Sequence, residues 1–206
     1  MANIAAPFGF RSLRHLVGGA IGTNPYTLAA AFATSLFNGD IVKSDGAGNI
    51  VLALPGDAIL GTFRGCEYIG PDGSVEFRNF WRASTPTQAG TAITAHVEDD
   101  PFITLEVQCS TSALYANAGK FVNLVAGAGN LITGMSTMTV GTPGGAASQF
   151  QILRIRDTNP MVVSVTTILP IGPVNVLGFP KDGANCLVEV KAVKHERLGA
   201  AAGVAV

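Results

Sequence analysis

From Asn38 onward the chain is a succession of short runs in which apolar and polar residues alternate, each closed by a turn built from Gly, Pro or Asp. Alternation with period two puts every second side chain on one face of an extended strand. Such a run suits a half-buried β-strand and does not suit an amphipathic helix. Val75, Phe77 and Asn79 alternate with Glu76, Arg78 and Phe80, and Phe150, Ile152 and Arg154 with Gln151, Leu153 and Ile155. Near the end, Leu187, Glu189, Lys191 and Val193 alternate with Val188, Val190 and Ala192. The turn Asp45-Gly46-Ala47-Gly48-Asn49 between two strand-like runs reads as a hairpin, and Gly70-Pro71-Asp72-Gly73 as a second turn. About ten such strands, with almost no helical periodicity, predict an all-β fold: an antiparallel sandwich or barrel with little helix.

The densest polar group lies in "ITAHVEDDPFITLEVQ", residues 93–108. Ile93, Ala95 and Val97 alternate with polar residues before the acids, and Ile103, Leu105 and Val107 do so after them. Pro101 cannot donate to a ladder, and Asp favours turns because its carboxylate bonds nearby N–H groups. The segment therefore reads as strand, polar turn, strand. A calcium loop would need alternating Asp or Asn ligands, and a zinc site would need more than His96 and Asp99. No metal is expected here.

Residues 1–38 lack a clean period, being broken by Pro7, Gly9, Gly18, Gly19, Gly22 and Pro25. They read as an extended N-terminal arm, with one short helix allowed by the Ala-rich run "TLAAAFATSLF". Residues 39–198 read as the β domain, with a break near 84–92 that would permit a subdivision. Residues 199–206, small and apolar, read as a flexible or docking tail.

Charged residues make up 13% of the chain, against about 25% in ordinary soluble proteins, while hydrophobic residues make up 48%. A surface so poor in charge favours burial against other subunits. The net charge of −1 and the scattered basic residues argue against direct nucleic-acid binding. Two stretches, 121–153 and 158–180, carry no Asp, Glu, Lys or Arg, but Gly interrupts the first and Pro the second, so neither resembles a membrane span. The first residues lack the layout of a signal peptide, so the chain is expected to stay in the cytoplasm where it is made. Cys66, Cys109 and Cys186 are widely spaced and read as buried thiols. His15, His96 and His195 accompany no nucleophile motif, and neither copy of "GAGN" sits between a strand and a phosphate-binding helix. No enzymatic activity, catalytic residue or cofactor is expected. Trp81 and Phe80 read as core packing.

The order of motifs resembles structural proteins of tailed bacteriophages. Ala6-Pro7-Phe8-Gly9-Phe10-Arg11 is similar to that family's opening A-P-F-G-[LF]-R-P, with Ser12 where Pro is usual. "LFNGDIV" (36–42), "AILGTFRGCEY" (58–68), "AHVEDDPFITLEVQ" (95–108), "FQILRIRDTNP" (150–160) and "CLVEVKAVKHE" (186–196) follow in the family's order. The proline-rich stretch 158–180 departs from it.

The resemblance implies a capsid decoration, or cement, protein on the outer capsid surface of the virion. It would bind a shell of major capsid protein and bridge capsomers. It also implies a homo-oligomer, with a trimer at local three-fold axes as the expected state. The arm is expected to touch the shell through Pro7, Phe8, Phe10, Arg11, Arg14, His15 and Leu16. Two further readings stand beside it: a tail or neck structural protein, and a carbohydrate-binding β-sandwich, for which three Tyr and one Trp supply few platform residues.

Overall fold

A computed structural model describes residues 4–29, 32–113, 115–144, 148–156 and 183–198. Its strands, in chain order, are β1 (Arg11–His15), β2 (Asn24–Leu28), β3 (Ile41–Ser44), β4 (Ile50–Leu52), β5 (Gly61–Ile69), β6 (Val75–Arg78), β7 (Ile93–Glu98) and β8 (Ile103–Gln108). They continue with β9 (Ser112–Ala113), β10 (Phe121–Val122), β11 (Leu124–Val125), β12 (Thr139–Val140), β13 (Phe150–Arg156), β14 (Gly183–Ala184) and β15 (Leu187–Ala192). One 3-10 turn spans Tyr115–Asn117 and another Glu196–Leu198. The chain is all-β and antiparallel, as the alternation predicts.

Two sheets carry the fold. One has five strands in the order β1-β8-β15-β13-β10. The other has six, in the order β2-β7-β5-β3-β4, with β6 also paired to β5. Strands β3 and β4 form the hairpin expected around Asp45, whose carboxylate accepts from the N–H groups of Ala47 and Asn49. Strands β5 and β6 form the hairpin around Gly70–Gly73.

The stretch 93–108 is strand, turn, strand, but its two strands do not pair with each other. Strand β7 belongs to the six-stranded sheet and β8 to the five-stranded one, so Asp99–Phe102 is the crossing between sheets. Gly61, opening β5, packs against this crossing so closely that a Cβ would lie 2.1 Å from the carbonyl oxygen of Glu98.

The buried apolar residues form two clusters. Ile103, Leu105, Val107, Phe150, Ile152, Val188 and Val190 line the five-stranded sheet and pack with Phe10, Ile41 and Ile59. Phe63, Cys66, Tyr68, Ile93, Ala95 and Val97 line the six-stranded sheet under Leu28, Leu36 and Trp81. Adjacent residues Ile41 and Val42 point into different clusters, as pleating requires. Trp81 is buried and meets Tyr68 edge-on at 5.4 Å. Phe80 stacks on Phe37 at 5.9 Å.

The separate N-terminal arm is corrected. Residues 11–15 form an edge strand of one sheet and residues 24–28 an edge strand of the other. Alternation is hidden in the first because the β1–β8 register shifts between Ser12 and Arg14, a bulge that breaks period two. Pro25 is tolerated in the second because β2 is an edge strand. Phe10 is fully buried and stacks on Phe150 at 5.0 Å.

Gly9 and Gly39, both at positive φ, let the two segments meet: Phe10 N–H donates to Gly39 C=O at 2.9 Å. A Cβ on Gly9 would stand 2.4 Å from the Cβ of Ser136. No helix occurs over residues 32–37. The break at 84–92 joins strands of one sheet, since β6 and β7 both pair β5, and it divides nothing. Residues 157–182 and the tail 199–206 lie outside the described residues.

Candidate interaction surface

Register assembles a row of charges across the outer face of the five-stranded sheet. Arg11 on β1 pairs with Glu106 on β8, Glu106 with Glu189 on β15, and Glu189 with Arg154 on β13. Directly opposed residues share a face, so the row reads Arg-Glu-Glu-Arg. Opposed like charges destabilise a sheet. Here each carboxylate is held by two guanidinium groups. Glu106 receives Arg11 at 2.5 Å and Arg156 at 3.1 Å. Glu189 receives Arg14 at 2.9 Å and also Arg154.

Burial alone would raise the Glu189 carboxyl, but hydrogen bonds from Arg14, Arg154 and Thr104 outweigh it and hold the group below its ordinary range. The two glutamates are buried, while the four arginine side chains remain 36% to 61% exposed. The sheet thus shows solvent its cations and hides its anions. Lys191, two residues beyond Glu189 on the same face, adds another cation.

The N-terminal segment lies across this face. The Gln108 side chain accepts from Ala6 N–H at 3.0 Å and donates to Ile4 C=O at 2.8 Å, as a neighbouring strand would. The Arg11 guanidinium sits over the Phe8 ring, 4.8 Å from its centre.

Behind β1, a bulge in β5 between Phe63 and Gly65 aims Arg64 at the junction of the sheets. Arg64 Nη2 donates to Ser12 Oγ at 2.6 Å and to Glu98 Oε2 at 2.7 Å. This node ties β1 to the other sheet.

The acids of the crossing are structural partners. Asp99 is buried and accepts from Asn24 at 2.8 Å, from Tyr26 O–H, and from Arg197 at 2.6 Å. Asp100 caps Phe102 N–H at 2.8 Å and bonds His15 at 2.8 Å. Burial would raise the Asp100 carboxyl, but these two bonds keep it below its usual range. The crossing from β1 to β2 runs beside it, with Leu16 N–H donating to Phe102 C=O at 2.9 Å. Leu16, Val17 and Phe102 stand exposed there as an apolar group.

The expected contact residues therefore divide. Arg11 and Arg14 are exposed on the basic face, with Phe8 beneath Arg11 and Pro7 half-buried next to it. Leu16 is exposed at the crossing and His15 is bound to Asp100. Phe10 is corrected: with no exposed surface it belongs to the core and cannot touch a partner. Glu106, Glu189, Arg154 and Arg156 were not singled out by sequence reasoning. The alternation of "FITLEVQ" and "CLVEVKA" puts Glu106 and Glu189 opposite the apolar positions, but that of "FQILRIR" sets Arg154 with Phe150 and Ile152. The bulge between Ile152 and Arg154 turns it to the outer face, and strand order brings the four together.

Cys66, Cys109 and Cys186 are buried as expected, and burial pushes the Cys66 thiol up to about 12. His195 is buried, its pKa lowered chiefly by desolvation. Among the described residues, no group of three His, Cys, Asp or Glu side chains is placed to hold a metal ion. Comparison with family models, with curated proteins and with solved structures finds no match to this chain.

Proposed function

We propose that this chain is a capsid decoration protein of a tailed bacteriophage, binding the outside of a shell of major capsid protein as a homo-oligomer and stabilising it by bridging capsomers. The ordered motifs support the family. The observation that carries the contact is the basic outer face, where Arg11, Arg14, Arg154 and Arg156 are held erect by two buried glutamates. Guanidinium groups fixed in this way lose little freedom on meeting carboxylates, and their planar forks suit bidentate pairing. Leu16, Val17 and Phe102 supply apolar area at the edge of the same strand, β1.

The contact lies on a folded sheet face and not on a free arm. A subunit that binds only the assembled shell stabilises it by mass action. Quantifying the chain in purified virions tests this reading. A decoration protein is present in copies comparable to the capsid lattice and is stripped without loss of the shell. A few copies confined to the tail or neck would overturn it.

A further inference from the structure

Strand β6 is a short edge strand that hides little of itself. Val75 is 65% exposed and Phe77 69%. Its only strand partner is β5, and among the described residues no other backbone group bonds to Val75, Glu76, Phe77 or Arg78. Val75 and Phe77 share one face, where Phe77 meets the His96 ring at 5.4 Å. Glu76 and Arg78 share the other, and Arg78 Nη2 donates to Glu76 Oε2 at 2.7 Å. An uncovered edge with exposed apolar side chains is a template for another strand.

We propose that the occupant of this edge is β6 of a second copy of the chain, paired antiparallel about a two-fold axis at Phe77. The sequence Glu76-Phe77-Arg78 at its centre is self-complementary in that register alone. Phe77 faces Phe77 of the other copy. Glu76 faces Arg78, and Arg78 faces Glu76. The four charges then alternate in sign, each beside an opposite charge within its own strand and another across the axis. A parallel pairing would set Glu76 against Glu76 and Arg78 against Arg78, which is unfavourable.

The interface is isologous, and it joins the two six-stranded sheets through β5-β6-β6-β5. Four residues a side make a small contact, so the association is concentration-dependent and is strengthened wherever copies are held close together. A two-fold contact joins trimers as readily as single chains. The inference rests on β6 itself and is independent of the shell-binding reading.

The test uses two charge variants of the full chain, Glu76→Arg and Arg78→Glu, examined by analytical ultracentrifugation alone and as an equimolar mixture. Wild type is expected to self-associate through this contact, and each variant alone to lose it by at least about tenfold in dissociation constant. The mixture regains it, because every pair across the axis then joins a guanidinium of the Glu76→Arg copy to a carboxylate of the Arg78→Glu copy. Either variant associating as wild type does, or a mixture no stronger than its components, overturns the proposal. It is also overturned if wild type shows no concentration-dependent association. Phe77→Lys guards against a folding defect. The position is exposed in the single chain, so this variant stays folded by circular dichroism, yet it sets two ammonium groups on the axis and is expected to abolish the contact.

Discussion

Glu106 and Glu189 stand directly opposite each other on neighbouring strands, two like charges in register with both carboxylates buried. The arrangement is stable because each acid is shared between two arginines drawn from different strands. Strands β1, β8, β15 and β13 are thereby cross-linked by side chains as well as by their backbone ladders.

Removing one arginine leaves its glutamate with the other, while removing both strands a buried carboxylate. Arg14→Ala and Arg154→Ala are each expected to cost about 1 kcal/mol, in keeping with half-exposed partners. The double variant is expected to cost about 3–5 kcal/mol, more than the sum, because Glu189 keeps only Thr104. Urea unfolding of the four proteins measures the coupling. Strict additivity would mean that the arginines do not share the acid.

Two buried acids respond to pH in opposite senses. Burial pushes the Asp40 carboxyl up from 3.8 to about 6, against the lowering effect of its bonds from Ser136 and Phe37 N–H. Its folded form holds a proton more tightly than the open chain does. The associated stability is therefore full below about 3.8 and is lost as pH rises through about 6. Asp40→Asn cannot ionise and can still accept from Phe37. Relative to wild type it is expected to gain up to about 3 kcal/mol between acid and neutral pH.

Glu189 has a lowered value, so its contribution is present above the ordinary glutamate range and is lost as pH falls through the folded value. Glu189→Gln is expected to flatten the acid limb of the stability profile. Thermal unfolding across pH separates the two effects.

The start of the chain is a structural element. Phe10→Ala is expected to cost about 3–5 kcal/mol, the usual cost of emptying a large aromatic site. Gly9→Ala combines positive φ with a Cβ 2.4 Å from that of Ser136, so it is expected to destabilise by well over about 1 kcal/mol. Deleting residues 1–24 removes β1, Phe10 and two of the four arginines of the ladder, and is expected to yield unfolded or aggregated protein in place of a trimmed domain. A soluble truncated chain with native circular dichroism would contradict this.

Class and turns were legible because they are local. Asp45–Asn49 and Gly70–Gly73 announce hairpins by residue type, and the proline after Asp99-Asp100 announces a turn. That the same turn switches sheets was not legible, since period two identifies a strand without naming its partner. The N-terminal strands were missed for nameable reasons: a bulge at Ser12–Arg14, a proline in β2, and glycines whose need shows only where Gly9 meets Gly39. The charged ladder depends on four strands that are not consecutive in the chain, and on a bulge between Ile152 and Arg154. Strict period two sets Arg154 on the face of Phe150 and Ile152, and only the bulge turns it outward beside Glu189.

Titration of purified chain against empty shells of the major capsid protein, read by co-sedimentation at low and high salt, tests the shell-binding account most directly. The comparison is wild type against Arg11→Ala/Arg14→Ala, which leaves each glutamate one arginine and so preserves the fold. Wild type is expected to bind saturably and more weakly as salt rises, with the double variant at least about tenfold weaker. Equal binding by both proteins would contradict the assignment of the basic face, and no binding by folded wild type would contradict the function itself.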